Sequence, residues 1–141
     1  MKIYAQIETS KSFCRNILDE LSLNYLSPKY RLINKNTNLK GVFEVLNEFK
    51  DKIVIKRDGL HGGKGVYVQD IDFKEKYDMC DILENSEEEI VIEEKLIGEE
   101  FSLMSLSDGY GNIRHFPPIQ DNKRLNDNDT GPNTGGMGCV I

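Results

Sequence analysis

The sequence has no tryptophan, two histidines, three cysteines and four prolines in 141 residues, and its formal net charge is −6. Each shortage removes a class of function. Cys14, Cys80 and Cys139 are widely spaced, with no Cys-x-x-Cys or Cys/His pairing, so no zinc site is expected. Reduced thiols in a cytoplasmic protein are expected instead. The acidic balance creates no general attraction to nucleic acid or an anionic membrane, so any polyanion must be held locally. Tyr4, Tyr67, Tyr77 and Phe116 lack an interleaved basic stripe, which removes the stacking platform of a single-strand nucleic-acid binder. Apolar runs such as Ile53-Val54-Ile55 and Ile90-Val91-Ile92 are far too short to span a bilayer, and Met1-Lys2-Ile3-Tyr4 opens no signal peptide.

What is present suits a soluble globular chain of about one domain, with 38% hydrophobic and 30% charged residues. Behind Ser10 as N-cap, Phe13, Ile17, Leu18 and Leu21 have the spacing of a one-sided helix. Leu39, Val42, Phe43, Leu46 and Phe49 repeat the pattern behind Thr37 or Asn38. The short β-branched runs Ile53–Ile55, Val66–Val68 and Ile90–Ile92 predict strands. Asp72 with Glu75 reads as a capping box for a third helix carrying Phe73, Tyr77 and Cys80 on one face. After Gly98 the alternation around Phe101–Leu106 and the turn Asp108-Gly109-Tyr110-Gly111 predict a hairpin into Asn112–Phe116. From Pro117 onward apolar periodicity nearly vanishes, and a long functional loop is expected over Gln120–Gly138. The predicted class is α+β.

The sharpest feature is Ile55-Lys56-Arg57-Asp58-Gly59-Leu60-His61-Gly62-Gly63-Lys64-Gly65-Val66, which sets glycines and cations between two predicted strands. Glycines let successive main-chain N–H groups approach phosphate oxygens closely, and the lysines supply countercharge. It is not a Walker A loop. Asp58 stands where the first glycine belongs, Gly65 replaces the hydroxyl residue, and a strand follows rather than a helix. A glycine hairpin closing over phosphates fits, with a plain hairpin whose lysines serve solubility as the bland alternative. Downstream, Ile90–Ile92 runs into Glu93-Glu94-Lys95-Leu96-Ile97-Gly98-Glu99-Glu100. An adenine edge needs a donor and an acceptor at a strand end, and a ribose diol needs a carboxylate. Glu93, the Leu96 backbone and Glu100 could supply them, although such an acidic turn taken alone is usually a solvated edge.

In order, Glu8-Thr9-Ser10-Lys11-Ser12-Phe13, the glycine segment and the Glu93–Glu100 hinge resemble the nucleotide-binding half of an ATP-grasp ligase. Gln120-Asp121-Asn122-Lys123-Arg124, followed by Asp129-Thr130-Gly131-Pro132-Asn133-Thr134-Gly135-Gly136-Met137-Gly138, resembles the phosphoribosylamine-glycine ligase family in particular. The resemblance implies an ATP-grasp small subdomain over residues 1–98 and the start of a second over 99–141. It implies that Lys11, Lys56, Gly62, Gly63, Lys64 and Gly65 grip ATP phosphates, and that Glu93, Leu96 and Glu100 hold adenosine. Lys123 and Arg124 would act in catalysis. Asp121, Asp129, Thr130, Pro132, Asn133, Thr134 and Gly135 would shape the pocket for glycine and 5-phosphoribosylamine.

Asn122 departs from the histidine usual in the family, which removes support for proton transfer there. The family's magnesium or manganese ligands would lie beyond Gly138 and a further domain before Glu8, so the chain is expected to be a central part, completed by other sequence or a second chain. His61 and His115 have no carboxylate partner identifiable from sequence and are expected to be structural or solvent-facing. Two other readings are a nucleotide-binding module without turnover of its own and another ATP-grasp ligase.

Overall fold

The computed structural model describes residues 6–35, 37–62, 64–128 and 130–141, and only the main chain of Asn133. The chain divides into two compact units, Met1–Leu96 and Ile97–Ile141.

In the first unit, the short helix α1 (Gln6–Thr9) leads into α2 (Lys11–Glu20), whose cap Ser10 accepts a hydrogen bond from Phe13 N. Strand β1 (Tyr30–Ile33) follows, then α3 (Leu39–Asn47), capped by Asn38 through Gly41 N. Strands β2 (Ile53–Arg57), β3 (Val66–Val68) and β4 (Ile90–Glu94) complete an antiparallel sheet in the order β1-β4-β2-β3. Between β3 and β4 lie a 3-10 turn, Lys76–Met79, and a short α4, Cys80–Glu84.

Strand alternation gives the sheet two unlike faces. Ile55 stands opposite Ile92, and Ile33 opposite Ile90. With Ile53 these isoleucines pack against Val42, Leu46 and Phe49 from the α3 side and Met79, Cys80 and Leu83 from the α4 side, forming one core. Each such aliphatic side chain gains roughly 1.5–3 kcal/mol by leaving water, and a one-residue slip would forfeit that burial along a whole strand. The other face presents Val54, Lys56, Val91 and Glu93. Helix α2 lies on it, held by Arg15 bonding to Glu93 and by the Tyr30 hydroxyl donating to Asp19. Burial, then the Asp19 hydrogen bond, push the Tyr30 phenol up to about 12. Because the folded value is raised, this contribution is complete below the ordinary value of 10.0 and lost as pH rises towards about 12. Asp19→Asn is expected to lower the late-titrating tyrosine towards 10.0, read by ultraviolet absorbance titration.

Strand β1, which the sequence reading did not anticipate, is a four-residue edge strand whose alternation is broken by Arg31, where the side chain pairs with Glu48 at the end of α3. The third helix is also shorter than expected. Its capping box is formed by Glu75 and Asp78, while Asp72 accepts from Val68 N to close the turn after β3.

The second unit is made of paired short strands. Strands β5 (Ser105–Ser107) and β6 (Ile113–His115) form the expected hairpin. Its turn is held by the Asp108 carboxylate, which accepts from Tyr110 N at 2.8 Å and Asn112 Nδ2 at 2.6 Å. The segment expected to be a long loop is instead a ladder. Strand β7 (Gln120–Asp121) pairs with β10 (Cys139–Val140), and β8 (Arg124–Asn126) pairs with β9 (Thr130–Asn133). Main-chain hydrogen bonding, which needs no apolar side chains, supplies the order that periodicity could not reveal. Among the described residues of this unit no apolar side chain is buried; Leu106, Ile113 and Val140 are all exposed.

Candidate functional site

The glycine segment joins β2 to β3 as a closed hairpin. Arg57 N donates to Gly65 O at 2.8 Å, Lys64 N to His61 O at 3.1 Å and Asp58 N to Glu89 O at 2.9 Å. Gly59 and Gly62 have φ of +85° and +56°, a region that strains residues with a Cβ. Gly65 is needed for a different reason: a Cβ there would stand 2.9–3.0 Å from the His61 ring and Cβ. His61 packs on that glycine, bonds through Nε2 to Asp58 O at 2.6 Å and lies 3.0 Å from Glu88 Oε2. It has the carboxylate neighbour that sequence spacing could not show. Gly65→Ala is therefore expected to cost about 1–3 kcal/mol of stability by overpacking. Denaturant titration should show the loss, and His61→Ala in the same chain should relieve part of it.

At the root of the hairpin, cations from α2 and β2 converge on one carboxylate. Glu93 is only 2% exposed. Lys56 Nζ lies 2.5 Å from its Oε2, while Arg15 bonds through Nε and Nη2 to its Oε1. The adenosine role expected for Glu93 thus meets a side chain whose two oxygens are already occupied. Arg15 escaped notice in the sequence; its only clue is its position four residues after Lys11, on the same helical face.

Lys11 reaches the hairpin itself, its Nζ donating to Arg57 O at 2.9 Å and Gly59 O at 2.7 Å. Burial, together with the nearby charge of Lys56, lowers its pKa despite the opposing carboxylates of Asp58, Glu88 and Glu93. An ammonium has three donors, so one of the Lys11 donors is left for a further acceptor. Lys64 is exposed, and its ammonium has no hydrogen bond or ion pair among the described residues. Gly62 is exposed beside it, with open space where a side chain would project. Gly63, the remaining expected phosphate contact, lies outside the described residues.

Beyond β4, Lys95 is fixed by its N–H to Lys52 O at 2.8 Å and its Nζ to Gln69 O at 3.1 Å. Leu96 is 67% exposed, and its main-chain donor and acceptor make no hydrogen bond among the described residues. It therefore offers the donor and acceptor pair that an adenine edge requires.

In the second unit, the Asp121 carboxylate pairs with Lys123, and this hydrogen bond raises the Lys123 pKa. Glu100 is exposed and adds to the same effect. Arg124 Nη1 donates to Gly131 O at 3.0 Å, leaving most of its guanidinium unspent. Thr134 ties β9 back to Lys123 O through its N–H at 2.8 Å and its hydroxyl at 2.9 Å. A Cβ at Gly136 would stand 3.3 Å from Asp121 Oδ1, Thr130 bonds through its hydroxyl to Asp127 O, and Pro132 and Gly135 are exposed. Asp129 and the side chain of Asn133, both expected in the substrate pocket, lie outside the described residues. Asn122 has a main-chain role, donating to Gly138 O and accepting from Met137 N. His115 bonds through Nδ1 to the Ser105 hydroxyl across the β5–β6 pair. No group of three or more His, Cys, Asp or Glu among the described residues could hold a metal ion, and no helix is long and apolar enough to cross a membrane.

Comparison with known proteins gives this geometry a lineage. The chain is 38% identical over 140 residues to phosphoribosylamine–glycine ligase from Methanocorpusculum labreanum, covering 98% of this chain and 31% of that protein. It is 42% identical to the bifunctional purine biosynthetic protein purD of Dictyostelium discoideum, covering 96% of this chain and 16% of the relative. The crystal structure of phosphoribosylamine–glycine ligase from Thermotoga maritima superposes with a TM-score of 0.79 at 29% identity, over 99% of this chain and 35% of that one. The chain thus spans about a third or less of each of these relatives. The family described as phosphoribosylglycinamide synthetase, ATP-grasp (A) domain, matches residues 9–141, and this chain belongs to it.

Proposed function

We propose that this chain supplies the nucleotide-gripping part of an ATP-dependent carbon–nitrogen ligase that joins glycine to 5-phosphoribosylamine in cytoplasmic purine synthesis. Residues 1–98 would form the ATP-grasp small subdomain and 99–141 the start of the second. The observation carrying the reading is the Lys11 ammonium bonded to the root of a glycine hairpin, within the electrostatic reach of Lys56, with the Lys64 ammonium unspent among the described residues. Phosphoryl transfer to the glycine carboxylate brings two anions together, so positioning and positive charge do most of the catalytic work. Atoms balance simply: the carboxylate oxygen attacks the γ-phosphorus, ADP leaves, and the amine of phosphoribosylamine then displaces phosphate from the glycyl phosphate.

Lys56 can turn from Glu93 to a phosphate because Arg15 continues to neutralise that carboxylate. Adenine would be read by the main chain at Leu96 and the ribose diol by Glu100, with Glu93 acting behind them as the anchor of the cations. Lys123 and Arg124 would stabilise the acyl phosphate and the sugar phosphate. The ladder carrying Asp121, Thr130, Pro132, Thr134 and Gly135, with Asp129 and Asn133, would shape the acceptor pocket. The family implies a divalent cation with ATP; among the described residues no group of three or more His, Cys, Asp or Glu could hold one, and no step is assigned to it.

A second reading, a nucleotide-binding module silent on its own, is favoured by the lack of a buried apolar side chain in residues 97–141 among those described. Calorimetry with ATP tests what both readings share, since saturable binding by the 141-residue chain is expected and its absence would refute them. In the parent protein, ADP release should require glycine and phosphoribosylamine together. ADP release from the isolated chain would discard the second reading.

A further inference from the structure

Asp58 uses every polar atom it has. Its Oδ1 accepts from Lys11 N at 2.5 Å and Ser12 N at 3.2 Å, and its Oδ2 from the hydroxyls of Ser10 at 2.8 Å and Ser12 at 2.9 Å. Its N–H donates to Glu89 O at 2.9 Å, and its carbonyl accepts from His61 Nε2 at 2.6 Å. Lys11 returns the connection, because its ammonium bonds the carbonyls of Arg57 and Gly59, the residues on either side of Asp58. The root of the glycine hairpin is therefore fastened to the first turn of α2 in both directions. Immediately past the fastening, Gly59 has φ +85°.

We infer that Asp58 is a positioning residue: it clamps the base of the glycine hairpin to the N-terminus of α2, so that the hairpin main chain and the Lys11 ammonium address the same phosphate group. The inference rests on the nucleotide site proposed above and adds a residue that contacts no nucleotide itself. The carboxylate occupies the free N–H groups of the α2 N-terminus, which would otherwise attract an anion. That terminus is thus not a phosphate site, and phosphate is left to the hairpin and the lysines. Burial alone would raise the Asp58 pKa, but the hydrogen bonds from Ser10, Ser12 and the Lys11 main chain outweigh it and hold the carboxyl below its ordinary value. The clamp therefore stays charged at neutral pH.

The test compares Asp58→Ala and Asp58→Asn with the unmodified 141-residue chain, using ATP and adenosine as separate calorimetric probes and hydrogen exchange across residues 59–65. The alanine variant should bind ATP about tenfold or more weakly and bind adenosine within about twofold of the parent chain's affinity, since only phosphate contacts depend on the clamp. Hairpin amides should exchange faster while β2 and β4 remain protected. Asparagine keeps an acceptor for Lys11 N and Ser12 N, so it should fall between the two, and it remains informative if alanine prevents folding. Equal losses for ATP and adenosine would reduce Asp58 to a general structural role and overturn the inference. Unchanged ATP affinity with unchanged hairpin exchange would overturn it as well, leaving the nucleotide site intact. If the unmodified chain bound no ATP, the site itself would be refuted and the inference with it.

Discussion

Replacing Arg15 and Lys56 together with methionine is expected to destabilise the first unit by about 3–5 kcal/mol, the usual cost of leaving a buried charge without its partners. The reason is Glu93, which is 2% exposed and finds its ionic partners in these two side chains. Either single replacement should cost much less, because the surviving cation still neutralises the carboxylate. The combined loss should therefore exceed the sum of the single ones. Adding Glu93→Gln to the double variant should recover part of the stability by removing the stranded charge. Urea denaturation of the five chains measures the coupling and the recovery. Simple additivity, or no recovery with glutamine, would show that Glu93 does not organise this cluster.

Lys64→Ala should behave in the opposite way. Its ammonium has no hydrogen bond or ion pair among the described residues, so folding stability should change by no more than about 0.5 kcal/mol. ATP affinity should nevertheless fall by about 1.5–3 kcal/mol, the range for hydrogen bonds to charged groups. Calorimetry and denaturation on one preparation give both numbers. A lysine present only for solubility would leave the affinity unchanged, and that result would return the hairpin to its bland reading.

The elements legible in the sequence are those whose burial follows a local period. Val42 and Leu46 on α3 announced the core by their helical spacing, and Ile53, Ile55, Ile90 and Ile92 by standing in short β-branched runs. Strand β1 lacked that signal, since Arg31 is polar and finds its partner on another element. The ladder after Pro117 lacked it as well, because its order comes from main-chain pairing among residues with little apolar surface. The β2–β3 hairpin was visible through its glycines. Its supports were not: Arg15 meets Glu93 and Asp58 meets Ser12 across long stretches of chain, and no spacing rule joins such positions. Asp58 had entered the sequence argument only as the residue spoiling a Walker A loop.

The strands of residues 97–141 expose their apolar side chains, Leu106, Ile113, Leu125 and Val140, to water. Heat-capacity change on unfolding arises chiefly from newly wetted hydrocarbon, about 12–15 cal/mol/K per residue in ordinary domains. Strands already wet on both sides have little left to contribute. Scanning calorimetry of the 141-residue chain should thus give an increment per residue below that range, with nearly all of the melting signal belonging to residues 6–96. The paired strands after Pro117 would loosen almost silently, their order borrowed from hydrogen bonds that hydration can replace at little thermal cost.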